Sequence, residues 1–171
     1  DGLRQLGVGF LLSLPLLGGT STNVLSGEGF EFITDVDVPR WGQKLYLGAD
    51  GTDEILIVPA AGTPTAVPTN VEFIDPVNIA LAPDSSTLFV MDPNIRIDAS
   101  GRVVGAGGWP GAVFMGPGTG GHYVPLVVGG PDFELTGRID LSPDGSVLYL
   151  VGTRRSTGAP VILSVLTGPA E

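Results

Sequence analysis

Three twelve-residue segments of this chain align on one another without gaps: VDVPRWGQKLYL at 36–47, IALAPDSSTLFV at 79–90 and IDLSPDGSVLYL at 139–150. Each reads as a short strand, a polar turn, and a second strand with leucine, an aromatic residue and an aliphatic one at its centre. The turn at 142–145 shows why. Pro143 presets φ, the Asp144 side chain can bond nearby backbone, and Gly145 takes the positive φ that closes a hairpin. A repeated unit of this kind cannot bury its apolar face alone, so successive units must stack. The segments start about 43 and then about 60 residues apart, a period that suits small antiparallel sheets arranged in series.

The third strand of the unit is visible as EILIVPAAGT at 54–63, followed by a Thr/Pro-rich link and VEFI at 71–74. Shifting the chain by the same interval lays LLSLPLLGGT at 11–20 over that strand and Phe30 over Phe73. A strand is therefore expected over residues 11–17, with an edge or a bulge at Pro15 because proline cannot donate to a ladder. Near the other end, VILSVLTG at 161–168 is the same strand again. The apolar run at 6–17, preceded by Arg4, also resembles the core of a signal peptide. It falls short of the roughly 20 apolar residues that a spanning helix needs, and the repeat register accounts for both halves of it. The sequence opens on Asp1 and not on Met, which reads as processing, trimming or excision from something longer. The second interval carries a surplus of about 17 residues, assigned to the glycine-rich stretch GRVVGAGGWPGAVFMGPGTGG at 101–121 as an insertion on one unit. Long insertions in compact domains are more often functional than accidental.

Composition narrows the class. The 171 residues are 43% hydrophobic and 15% charged, with 27 Gly and 15 Pro scattered between short apolar runs, as expected of many short strands joined by turns. The net charge is −10, Lys44 is the lone lysine, and the arginines are dispersed apart from Arg154 and Arg155. Nucleic-acid binding needs a basic footprint to displace counterions from phosphate, and none is present. There is no cysteine, which excludes disulfides, a thiolate nucleophile and a Cys-ligated zinc.

The strings NIALAPDSSTLFVMD at 78–92 and RIDLSPDGSVLYLVG at 138–152 resemble the signature of TolB-type, YVTN-type and gluconolactonase-type β-propellers. In those families a strand, a Pro-Asp-Gly turn and a Leu-Tyr-Val strand open each blade. The resemblance implies an all-β, propeller-like array of short antiparallel four-stranded sheets, about three and a half units long. Residues 1–35 would end one blade, 36–78 and 79–138 would form two, and 139–171 would begin another, all in a single domain. Propellers typically close with four to eight blades, so the array is expected to be incomplete as a single chain. Further blades of the same protein or another polypeptide would complete it. The motif serves propellers of unrelated activity and speaks to fold alone.

The function expected on these grounds is a non-enzymatic interaction module or scaffold subunit of a larger extracytoplasmic assembly, periplasmic or secreted, and association with a membrane complex stays open. Two alternatives belong to other classes: a fragment of a divalent-cation-dependent lactonase or esterase, and a small-ligand or glycan-binding propeller with tryptophans as stacking platforms. No catalytic, metal or cofactor residue is assigned. His122 is the single histidine, which leaves at most one centre for a triad, and it lies beside Tyr123 after the glycine run at 117–121. That run lacks the Lys-Ser/Thr of a phosphate-binding loop. The acidic clusters at 28–37 and 50–54 offer oxygen ligands for calcium but not EF-hand spacing, and read as solvated turns. The gluconolactonase resemblance implies a metal-binding Asn before the Ile-Ala-Leu strand. Here Asn78 is displaced by one residue, which in a strand points it to the other face. Trp41 replaces the Asp of the turn and Trp109 sits in the glycine-rich stretch. Tryptophan at a turn tip is poorly placed for a core, so Trp41 and Trp109, with His122 and Tyr123, are the expected partner-binding residues.

Overall fold

Pro, Gly and Asp between short apolar runs leave little room for helices, and every regular element among the described residues is a strand. The computed structural model describes residues 9–13, 17–27, 32–40, 42, 44–50, 53–59, 63–106 and 110–168. A hairpin of β1 (Gly9–Ser13) and β2 (Thr22–Gly27) comes first. The first full sheet runs β3 (Phe32–Asp37), β4 (Lys44–Asp50), β5 (Glu54–Pro59) and β6 (Thr65–Ala66), in that spatial order. The second begins with β7 (Asn78–Leu81) and β8 (Thr87–Asp92). A separate hairpin of β9 (Ile95–Ile97) and β10 (Val103–Ala106) then intervenes before β11 (Ala112–Pro117) and β12 (Val124–Val128) complete the sheet. The third sheet has three strands, β13 (Phe133–Leu141), β14 (Val147–Arg154) and β15 (Pro160–Leu166). All strand pairings are antiparallel between neighbours.

The sheets stack through their faces, and the repeated Leu-aromatic-aliphatic triplet decides which residue faces which way. Side chains alternate along a strand, so Tyr46 and Leu47, or Phe89 and Val90, point to opposite neighbours. Tyr46 and Ile55 of the first sheet pack with Ile79, Leu88, Val90 and Phe114 of the second. On the second sheet's other face, Phe89, Met91 and Val113 pack with Leu135, Leu148 and Leu150 of the third. The leucines of the second and third sheets thus face the preceding sheet, and the aromatics of the first and second face the following one. Each such side chain contributes about 1.5–3 kcal/mol on full burial, so the seams between sheets hold the array together.

Carboxylates and hydroxyls lock these seams. The Ile79 N–H donates to Asp35 Oδ2 at 3.0 Å and the Leu81 N–H to Asp37 Oδ2 at 2.6 Å, joining β3 to the innermost strand of the next sheet. Tyr46 donates its hydroxyl to the Gly118 carbonyl at 2.7 Å across the same seam. The link between the first two sheets carries Val67, Val71 and Phe73 into the core, where Phe73 meets the edges of Phe114 and Tyr123.

The structure departs from the sequence reading in three places. The glycine-rich stretch at 101–121 is not one insertion. The added element is the β9–β10 hairpin, which starts earlier, and β11 within that stretch is the buried third strand of its sheet. Its glycines mask it: at Gly116 a Cβ would come within 2.5 Å of the Tyr123 ring, so close ring packing excludes any other residue. In the N-terminal run, β1 stops at Ser13 and Leu17 lies in a turn, 98% exposed, before Gly18 and Gly19 with positive φ. Residues 14–16, with Pro15, fall outside the described residues. Finally, the outermost strand of the first sheet is β6, hidden in the Thr/Pro-rich link.

Candidate interaction face

The third sheet has one packed face and one open face. Leu135, Ile139, Leu148 and Leu150 are buried against the second sheet. The alternate positions look outward: Tyr149 is 46% exposed, Val151 38%, Ile162 77% and Leu166 76%. The register sets them side by side, with Val151 opposite Ile162, Val147 opposite Leu166, and Tyr149 between Asp140 and Ser164. Polar pairs mark the strand ends farther along, where the Thr136 and Thr153 hydroxyls are 3.1 Å apart and Arg155 lies 3.5 Å from Glu134. Tyr149 occupies the repeat position of Tyr46 and Phe89, both of which are buried by the sheet that follows.

Near the inner strands β3, β7 and β13 lies a set of carboxylates. Burial raises the Asp37 carboxyl above the usual range, against the lowering effect of the Leu81 and Val38 N–H groups. The neighbouring Asp35 and Asp140 carboxylates push the same way as burial. These groups clamp backbone, and no cluster of three or more His, Cys, Asp or Glu able to hold a metal occurs among the described residues. Asn78, nearly buried, donates its amide to the Val77 carbonyl at 2.7 Å.

Two shallow recesses lie among the described residues. One of about 390 Å³ lies between the link and the inserted hairpin, lined by Asn70, Glu72, Arg102 and Tyr123 among others. Asn70 is committed to structure there, accepting from the Tyr123 N–H at 2.6 Å and donating to its carbonyl at 3.3 Å. The other, about 410 Å³, separates the turns of Asp84 and Asp144 over Phe89 and Met115. Ser142, then Ser146, hydrogen-bond the Asp144 carboxylate and pull it down to about 2. A firmly ionised carboxylate whose Oδ1 takes all three of these bonds is a turn brace and not an acid–base group.

The residues expected to bind a partner do not gather into one place. His122 is exposed beside the Gly121–Thr69 bridge. Tyr123 is a correction: it is buried, its hydroxyl donates to the Pro117 carbonyl at 3.0 Å, and its ring packs on Phe73, so it belongs to the core and not to a surface. Trp41 and Trp109 lie outside the described residues. Of the acidic clusters, Asp35 and Asp37 brace the first seam, and Asp53 takes a positive φ of 55° in the turn before β5. An uncovered apolar face on an end sheet is what an incomplete array of such units calls for, but the sequence reading did not name the residues of this one. Its signal was the alternation of VILSVL at 161–166, with a second apolar set on the face away from the core.

Comparison with known proteins places the fold. No family model matches the chain, and no curated protein does. Among solved structures, an Agrobacterium tumefaciens protein described as TolB is similar at a TM-score of 0.52 and 18% identity, over 86% of this chain and 62% of that one. A chain of the nidogen/laminin complex is similar at 0.59 and 16%, over 91% and 61%. The tricorn protease is similar at 0.57 and 14%, over 95% of this chain and 16% of its own. At these identities the likeness concerns the fold alone. The chain is an all-β, propeller-like array, and it spans about three fifths of the TolB and nidogen/laminin chains. No helix among the described residues is long and apolar enough to cross a membrane.

Proposed function

We propose that this chain is a protein–protein interaction module of the propeller type, working without catalysis or a cofactor as a subunit or scaffold of an extracytoplasmic assembly. The observation that carries the reading is the open face of the third sheet, where Tyr149, Val151, Ile162 and Leu166 form a contiguous apolar set. Contiguous exposed apolar surface marks sites of association, and the matching faces of both earlier sheets are covered by protein. The extracytoplasmic setting follows the resemblance to TolB-type propellers.

The test is native mass spectrometry of the tagged protein at its natural abundance, comparing wild type with Ile162→Asp/Leu166→Asp. Both positions are exposed, so the variant should fold as the parent does. The wild type should appear in a complex of fixed stoichiometry that the variant lacks. A wild type that is monomeric at micromolar concentration ends the interaction reading. Stoichiometric divalent metal in the purified protein would end the cofactor-free part.

A further inference from the structure

We infer that the open face of β13–β14–β15 seats a further blade, a four-stranded antiparallel sheet of the same kind made of polypeptide outside these 171 residues, with Asp140 accepting a backbone N–H from its innermost strand. This rests on the interaction reading above and names its partner. The internal repeat supplies the first argument. The chain contains two worked examples of what covers this face, since Tyr46 and Phe89 sit at the position of Tyr149 and each is buried by the next sheet. A surface built to the same pattern is complementary to the same kind of sheet, with branched aliphatic residues in the places of Leu88 and Val90.

Asp140 supplies the second. It aligns with Asp37, and the two carboxylates make the same local bond: Asp37 Oδ1 accepts from the Val38 N–H at 2.7 Å, and Asp140 Oδ1 from the Leu141 N–H at 2.8 Å. Asp37 Oδ2 then takes the Leu81 N–H of the following sheet. Asp140 Oδ2 has no hydrogen-bond partner among the described residues. At the seam between the second and third sheets the aligned residue is Ala80, buried among apolar side chains. An aspartate there would need a donor, because a carboxylate covered without one is costly. Its return at position 140 therefore fits a covering strand that brings an N–H.

A second copy of the chain fits less well. The face it would have to offer, carrying Leu47, Leu56 and Val58 of the first sheet, is already buried. The solved propellers point the same way, because this chain spans only 62% and 61% of the two chains compared above, which leaves room in such a fold for more blades.

The chain has no cysteine, so one substitution makes a clean reporter. Ile162→Cys is placed in the 171-residue chain and in an extended chain, residues 1–168 followed by a second copy of residues 60–138. That copy brings an outer strand, a link and a blade whose Leu81 N–H can meet Asp140. Maleimide labelling should be fast in the parent and at least about tenfold slower in the extended chain, with the second-copy Leu81 amide protected from exchange. Adding Asp140→Ala should restore labelling in the extended chain by about tenfold, the factor expected for one charge-assisted hydrogen bond, and leave the parent's rate unchanged. Equal labelling of both chains overturns the proposal. So does an added segment that stays unstructured beside a folded parent, since a complementary face should template it. Protection that ignores Asp140→Ala overturns the role of Asp140. A native complex that forms while the extended chain labels freely leaves the interaction reading standing and refutes the blade.

Discussion

Asp92 ends β8 with no exposed surface, and its carboxylate accepts three backbone N–H groups: Ile74 at 2.6 Å, Asp75 at 3.1 Å and Asn94 at 3.0 Å. Through them it ties the link that enters the second sheet to the turn that leaves β8. Two effects compete at this residue. Burial raises its pKa, with the N–H bonds opposing, so the charge carries a desolvation cost. Removing the side chain strands three donors, each worth about 1–3 kcal/mol when left unsatisfied. The donors outnumber the charge, and Asp92→Ala should cost about 3–5 kcal/mol, even after relief of that cost. Asp92→Asn keeps one acceptor oxygen and sheds the charge, and should cost about 1–2 kcal/mol. The sign of the pH effect follows from the raised folded value. The wild-type contribution is full below the ordinary 3.8 and fades as pH rises through the higher folded pKa, a slope that Asp92→Asn should flatten. Urea unfolding followed by circular dichroism at several pH values measures all three quantities. An alanine variant within about 1 kcal/mol of wild type would refute the accounting of stranded donors.

Gly129→Ala should lower stability by about 1–3 kcal/mol in the same assay, because a Cβ there would stand 2.0 Å from the Pro110 carbonyl oxygen. Gly130→Ala, with nothing within 4 Å, should stay within about 0.5 kcal/mol and serves as its control. Asp144 is held at about 2 by Ser142 first and then by Ser146. Its stabilisation is present above the ordinary 3.8 and lost as pH falls toward the folded value, and carboxyl NMR titration should show that midpoint move up in Ser142→Ala.

The unit, its strands and the facing of the triplets are written in local sequence. Those depend on local chemistry: Pro143 and Gly145 make a turn anywhere, and alternation in LYL or LFV separates two faces whatever lies beyond them. The register also made β15 legible as a copy of β5, and it placed a strand at 11–17 where β1 runs Gly9–Ser13. Tertiary structure decided what each face meets. Nothing in the letters of Tyr46 and Tyr149 distinguishes them, yet one is fully buried and the other is open, because among the described residues only Tyr46 has a sheet packed on that side. The identity of β11 was likewise hidden, since its glycines mimic a loop until the Tyr123 ring is seen lying against Gly116. Tyr123 itself moved from surface to core because Phe73, from a distant link, comes to pack on it. Local periodicity encodes the direction of a side chain, but burial is a property of pairs of distant segments, and only the folded chain brings those pairs together.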